Sequence, residues 1–259
     1  MQCQFETLTD TQKAIIQKYI PKRKRKYDVL WIFEAILWIV RTGSQWRNLD
    51  SKYDNWSIVY YYYRVWNKTG IFQAINSALV EHERAQLGKS KKASVAAIDS
   101  QSVKIAPFIS EEKGIDGGKK INGRKRHIVT DHRGVILAVL VSAANSYDGN
   151  QGVKLYELFK EELSGINYFF ADNNYKGAFK RVIEKQGAQL IIAARPEGSK
   201  GFVPLAIRWV VERTFGWFNF FRRLDKDRER KIENSAIMII LAQIQILLNR
   251  IHRNSKLNF

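Results

Sequence analysis

The chain has 259 residues, 45% hydrophobic and 26% charged, a balance that supports a packed core and excludes a disordered or fibrous protein. Its 43 Lys and Arg against 25 Asp and Glu leave a formal net charge of +18, which points to a polyanionic partner, nucleic acid before membrane. A single cysteine, Cys3, excludes an internal disulfide and any cysteine-cluster metal site.

The opening "MQCQFETLTD" lacks the basic-then-apolar order of a secretory signal. The most apolar tract, "AIMIILAQIQILL" (236–248), is too short to span a bilayer, so a cytoplasmic protein is expected. Residues 8–88 read as helices. "DVLWIFEAILWIV" (28–40) is apolar almost all round, as a buried helix should be. "NWSIVYYYYRVWNKTG" (55–70) places Ile58, Tyr62, Val65 and Trp66 on one face and closes with Gly70 as a C-cap. The next segment repeats the helical period through Ile71, Ile75 and Leu79. The polar, basic "LGKSKKAS" (87–94) marks a boundary, which gives domains at 1–88 and 94–259.

Beyond the boundary the pattern changes. "SVAAI" (94–98), "RHIVTD" (126–131), "GVILAVLVSAA" (134–144), "INYFFAD" (166–172) and "AQLIIAA" (188–194) read as five strands. Helical stretches at 148–163 and 174–187 separate the last three, and two helices follow at 204–224 and 233–253. Three strands, then strand–helix alternation, then helices, imply an α/β fold: a sheet with helices packed on it, preceded by an all-α domain.

Two of the apolar runs stop at an aspartate: Val95–Ile98 at Asp99, and Tyr168–Ala171 at Asp172. Chemistry gathers just outside strand ends in helix-flanked sheets. Each aspartate alone reads as a turn or helix cap; together they read equally as two corners of one site. A third carboxylate, Glu212, lies in "WVVERTFGWF", where Arg208, Glu212, Gly216, Asn219 and Arg223 fall on one helical stripe. An Arg208–Glu212 surface ion pair is the plain alternative. Gly216 costs a helix interior about 1 kcal/mol against alanine, and is explained if a bulky ligand such as a DNA backbone must come close. Converging carboxylates repel unless cations lie between them. Oxygen donors without cysteine suit Mg²⁺ or Mn²⁺. Two such ions about 3.5–4 Å apart serve phosphodiester chemistry.

At these residues the chain resembles DDE transposases of the insertion-sequence-five family. The resemblance rests on "GSQWRNLDSKYDNWSIVYYYYRVWNKTGIF", "IDSQSVK", "GIDGGKKINGRKRHIVTDHRGVILAVLVSAANSYDG", "FADNNYKG" and "WVVERTFGWFNFFRRLDKDRE", and it covers nearly all the chain. It implies an RNase H-like mixed five-stranded sheet, with Asp99, Asp172 and Glu212 as catalytic and metal residues holding two Mg²⁺, replaceable by Mn²⁺. It also implies metal-dependent nicking at transposon ends, then attack of the freed 3′-hydroxyl on target DNA. A related signature runs Tyr, two residues, Arg, three residues, Glu, six residues, Lys; Arg208 and Glu212 match, but Leu205 and Asn219 hold the outer positions. Arg213, Arg222 or Arg223 is then the candidate replacement contact. After Asp172, Asn173 either adds a ligand or completes a turn.

"GGKKINGRKRH" (117–127) reads as a flexible basic loop whose Lys119, Lys120, Arg124, Lys125 and Arg126 hold phosphates, with a solvated hairpin turn as the alternative. "KRKRK" (22–26) is a second basic cluster, and "FRRLDKDRERK" (221–231) reads equally as a salt-bridged helix end. Packing is the better account of Tyr62 and Trp66 than base stacking. The N-terminal helices are expected to form a helix-turn-helix-like module on the terminal inverted repeats of double-stranded DNA. None of the four histidines has a partner at metal-ligand spacing. Asp148 reads as the cap of the next helix and as the spare carboxylate. The expected protein is a homo-oligomeric, nucleoid-associated transposase. A two-metal nuclease without strand transfer and a catalytically silent DNA-binding regulator are its rivals.

Overall fold

The computed structural model of the protein describes residues 7–21, 26–53, 55–192 and 206–256, with backbone alone at 206–208 and 252–256. Cys3, residues 22–25 of the "KRKRK" cluster, the end of the strand expected to reach 194, and Leu205 lie outside the described residues. The chain opens with α1 (Asp10–Gln17), α2 (Val29–Thr42), α3 (Trp56–Lys68) and α4 (Ile71–Gln86). Side-chain chemistry sets their ends. Gln12 N donates to the Thr9 hydroxyl while Thr9 N donates to the Gln12 side chain, a reciprocal cap at the start of α1. Asp28 accepts from Leu30 N and Trp31 N, and Gly43 closes α2 at φ +72°. Gly70, at φ +73°, separates α3 from α4.

The face that α3 buries is turned by one residue from the expected one. Val59, Tyr63 and Trp66 are buried, while Tyr62 is only half-buried. Tyr63 takes the core position because its ring packs 4.8 Å from that of Trp46 and 6.0 Å from that of Phe72. Ile71, Ile75 and Leu79 are buried along α4 as the period requires.

The sheet comprises β1 (Val95–Lys104), β2 (Gly114–Asp116), β3 (Ile121–Asp131), β4 (Ile136–Ala143), β5 (Tyr168–Ala171) and β6 (Gln189–Ile192). β3 pairs antiparallel with β1, β2 and β4, while β5 is parallel to β1 and β6 to β5. The sheet is mixed, with six strands rather than the five expected. The addition is β2, three residues read as loop. A Cβ at Gly114 would collide with the Asn145 side chain, and one at Gly123 would strike the Val103 carbonyl, so glycine is what lets these backbones close up. β3 also starts at Ile121, ahead of the expected Arg126.

One face of the sheet carries α5 (Asp148–Leu158) and α7 (Ala178–Glu184), with the short α6 (Lys160–Leu163) between them. Ala96, Ile98, Phe169 and Ala171 pack there with Leu155, Tyr156, Phe179 and Ile183. No residue of α8 (Ala206–Phe218) belongs to that core, yet α8 packs on β1, β3 and β5, so it covers the opposite face. Thr214 of α8 donates to the Gly134 carbonyl at 3.0 Å, a close approach in which Gly134 holds φ +81°.

The chain forms two compact units: Met1–Lys89 with Phe220–Leu224 and Ile237–Phe259, and Ser90–Asn219 with Asp225–Ala236. In the first, the C-terminal helix α9 (Ile232–Lys256) is tied by Gln12 Nε2 to the Leu248 carbonyl, Gln243 Nε2 to Asn76 and Arg250 to Glu83, each at 2.8 Å. Over Ile232–Ile251 this helix is long and apolar enough to cross a membrane by length and composition, which revises the expected short tract. Its Ile239, Leu241, Ala242, Ile244 and Leu248 are nevertheless wholly buried in protein. Residues 221–231 are not the expected helix end, because tertiary partners take their backbone groups. Arg222 N and Arg223 N donate to the carbonyls of Arg41 and Val40 in the first unit. In the second, Asp227 N donates to Lys104 O and Ala106 N to Asp227 O.

Candidate active site

β1 and β5 run parallel in a register that pairs Val95 with Tyr168, Ala96 with Phe169 and Ala97 with Phe170. The same offset carried two residues further brings Asp99 level with Asp172, on strands that neighbour one another at about 4.8 Å. Side chains alternate along a strand. Ala96 and Ile98 face α5 and α7, so Asp99 projects from the face that α8 covers. Both aspartates are half-buried. Asp99 Oδ1 accepts from Ser100 N at 2.7 Å, and Asp172 caps a 3-10 turn at Asn173–Tyr175 by accepting from Asn174 N at 2.9 Å. Asn174, not Asn173, makes the further contact, its amide donating to Asp172 Oδ2 at 3.2 Å.

Along α8, Val210, Val211, Thr214, Phe215 and Phe218 are buried, while Glu212, Gly216 and Asn219 form an exposed stripe. Nothing lies within 4 Å of a Cβ built on Gly216, so that position is open. Glu212 shares the sheet face of Asp99, but among the described residues no three His, Cys, Asp or Glu side chains stand close enough to hold a metal ion. Extending the β1–β5 register sets Asp99 opposite Asp172, while Glu212 lies on the exposed stripe of α8. The pair alone fits a hard divalent cation. Mg²⁺ is commonly held through one or two carboxylates, with water and substrate phosphate completing its shell, and the aspartates offer half-exposed oxygens with no competing thiolate.

A fourth carboxylate, Asp148, lies at the start of α5, 9% exposed. Its Oδ1 accepts from Ser100 Oγ at 2.9 Å and lies 3.1 Å from Lys125 Nζ and 3.8 Å from His127 Nδ1. Burial drives the His127 pKa down to about 4 despite the pull of Asp148, with Lys125 adding to the fall, so the ring is neutral near pH 7. Tyr175 is 1% exposed and its hydroxyl lacks a hydrogen-bond partner of good geometry among the described residues. Burial first, then Asp99, Asp148 and Asp172, hold its ionisation well above the usual phenol range.

The basic residues divide sharply. Lys119 and Lys120 are exposed in the Gly117–Lys120 turn, where Asp116 accepts from Gly118 N and Lys119 N. Arg124 and Arg126 lie on β3 rather than in a loop and are 0% and 2% exposed, which corrects their expected part in DNA contact. Arg124 donates to the carbonyls of Glu111, Glu112, Glu229 and Arg230, and its Nη1 lies 3.3 Å from Asp227. Burial lowers the Arg126 pKa to about 10, against the pull of Asp227 and Asp225. Lys125 is spent on Asp148 and the Ser146 carbonyl. Arg213 donates to the Arg133 carbonyl and lies between the rings of Trp209 and Trp217, at 4.7 and 5.0 Å. Arg223 is buried and donates to the Ser44 carbonyl, whereas Arg222 is exposed. The Arg208 side chain lies outside the description.

Residues 8–76 match the family described as "Putative transposase of IS4/5 family". The "Putative transposase for insertion sequence element IS402" of Burkholderia cepacia is 32% identical over 140 residues, 51% of this chain, and the match spans only 65% of that relative's length. Crystal structures of the Mos1 strand transfer complex and of a pre-cleavage Mos1 transpososome overlap 89% of the chain and 79% and 80% of their own. Their identities are 10% and 9% and their TM-scores 0.28 and 0.26, too low to add to the assignment. Residues 90–248 match the family described as "Transposase DDE domain", and to that family, of the IS4/IS5 type, the chain belongs.

Proposed function

We propose that the protein is a metal-dependent DNA transposase that binds the terminal inverted repeats of its own element, nicks the ends and joins them to target DNA. The observation that supports this reading is the parallel β1–β5 register, with Ala97 opposite Phe170, which carried two residues on sets Asp99 beside Asp172. Asp99 and Asp172 are the proposed ligands of two Mg²⁺ or Mn²⁺ ions, with Glu212 as the third. Bound there, such ions supply Lewis-acid stabilisation of phosphodiester oxygens and a more acidic nucleophile.

In the first step water attacks the phosphodiester at the element's end, and the P–O bond to the departing 3′-oxygen breaks, leaving a 3′-hydroxyl and a 5′-phosphate. In the second, that 3′-hydroxyl forms a new bond to a target phosphorus, and the target's own 3′-oxygen leaves with the proton. The proposed division of labour gives repeat recognition to the helices of residues 1–88 and chemistry to the unit of Ser90–Asn219 with Asp225–Ala236, so that the expected 94–259 part loses Phe220–Leu224 and Ile237–Phe259 to the first unit. Phosphate contact falls to Lys119, Lys120, Arg208 and Arg222, since Arg124, Arg126 and Arg223 are buried and Lys125 and Arg213 have partners within the protein. Joining two ends calls for more than one copy of the chain.

The test is a labelled duplex bearing the inverted repeat that flanks the gene, mixed with protein, Mg²⁺ and a target plasmid. Nicks at the repeat boundary and label joined to plasmid, both absent with Asp172→Asn, are expected. Cutting without joining would make it a nuclease, and binding without either product a regulator.

A further inference from the structure

Asp148 is the first residue of α5, and its bonds reach β1 beside Asp99 and the turn that follows Asp172. Its Oδ1 accepts from Ser100 Oγ at 2.9 Å, and Ser100 donates its backbone N–H to Asp99 at 2.7 Å. Its Oδ2 lies 3.5 Å from Asn174 Nδ2, and Asn174 meets both oxygens of Asp172, through its N–H at 2.9 Å and its amide at 3.2 Å. One buried carboxylate is thus linked to each site aspartate through a single intervening residue.

The backbone is shaped for this contact. A Cβ at Gly149 would come 2.7 Å from the Asn174 carbonyl, and one at Gly152 would lie 3.0 Å from the Tyr175 ring. Only glycines let the first turn of α5 lie this close to the turn that follows Asp172. Tyr175 is sealed from solvent at 1% exposure and lies near enough to all three aspartates for their charge to oppose its ionisation. Asp148 is poorly suited to hold a cation itself. Lys125 Nζ already lies 3.1 Å from its Oδ1, with both side chains 12% exposed, so an ion would have to displace an ammonium.

We propose that Asp148 is a positioning residue which, through Ser100 and Asn174, sets the separation and orientation of Asp99 and Asp172. The proposal rests on reading that aspartate pair as the metal-holding pair. Residues that orient metal ligands typically govern about 10–100-fold of metal affinity. Both links serve one carboxylate, so their losses overlap rather than multiply.

The experiment is Mn²⁺ binding to the full-length protein without DNA, followed by the electron paramagnetic resonance signal of free Mn²⁺, with melting curves alongside. Asp148→Asn is expected to bind Mn²⁺ about tenfold more weakly while still melting cooperatively. Asn174→Ala, at an exposed position, is expected to shift affinity the same way. The double variant should be no weaker than Asp148→Asn. Unchanged affinity in Asp148→Asn and Asn174→Ala, with binding lost in Asp172→Asn, overturns the positioning role and leaves the site reading standing. Multiplied losses in the double variant also overturn it. Unchanged affinity in Asp172→Asn defeats the site reading, and the proposal with it. Should Asp148→Asn fail to fold, Asn174→Ala decides alone: unchanged Mn²⁺ affinity there overturns the proposal.

Discussion

Asp99 on β1 and Asp172, the residue after β5, come level where the register that pairs Ala97 with Phe170 is carried two residues on, one past each apolar run. Parallel neighbours keep a fixed offset, so carboxylates at matched offsets come within reach of one ligand although β1 runs on to Lys104. Losing either should remove several kcal/mol of charge stabilisation from the transition state, on the order of a thousandfold in nicking rate at about 1.36 kcal/mol per decade. Single-turnover rates for Asp99→Asn and Asp172→Asn, with circular dichroism to confirm folding, check this.

Buried and exposed cations should separate in their effects. Arg124→Met leaves Asp227 without its guanidinium in a site where both side chains are 0% exposed, so a loss of about 3–5 kcal/mol in stability is expected. Lys119→Ala and Lys120→Ala should leave stability almost unchanged and each make the log–log salt slope of DNA binding shallower by about 0.9. Urea melts and binding titrations across a salt series read the two quantities.

His127 gives the protein an acid sensitivity with a defined sign. Its folded pKa of about 4 lies below the ordinary 6.5, so between these values the unfolded chain binds a proton that the folded chain refuses. The stabilisation is complete above about pH 6.5 and is lost as pH falls towards 4, at up to about 1.4 kcal/mol per pH unit from this one ring. Denaturation midpoints at descending pH should fall, and His127→Gln should flatten the slope.

Gly134→Ala should destabilise through two routes at once. The position holds φ +81°, and a Cβ there would lie 2.5 Å from Thr214 Oγ1 and 3.1 Å from the Trp217 ring. A cost of about 1–3 kcal/mol is expected, read as a drop of roughly 2–4 °C in Tm for each kcal/mol. Weaker docking of the β3–β4 turn on α8 should also raise exchange of the Gly134 and Thr214 amides.

The aspartates were singled out because each follows an apolar run; β5 does end just before Asp172, but β1 runs through Asp99 to Lys104, so Asp99 lies within a strand rather than at its end. The exposed stripe of Glu212, Gly216 and Asn219 was legible because helical period alone assigns it. Arg124 and Arg126 were misread as loop because glycines and charges surround them, while Arg124 is held by the carbonyls of Glu111 and Glu112, a dozen residues back, and of Glu229 and Arg230, about a hundred residues on, with Asp227 beside both. Tyr63 was misplaced by one residue because a run of tyrosines carries no phase of its own; Trp46 and Phe72 supply it. Asp148 could be named but not assigned. Its partners lie on β1, on β3 and in the turn after β5, and nothing within α5 announces them.

The central claim is that Asp99, Asp172 and Glu212 act as one catalytic unit. The most direct measurement is the single-turnover nicking rate of Asp172→Asn, Glu212→Gln and the double variant, on inverted-repeat DNA in Mg²⁺. Groups that act together are strongly non-additive, so the account predicts that the double variant is no slower than the slower single one. Full activity in Glu212→Gln, or losses that multiply in the double variant, would contradict it.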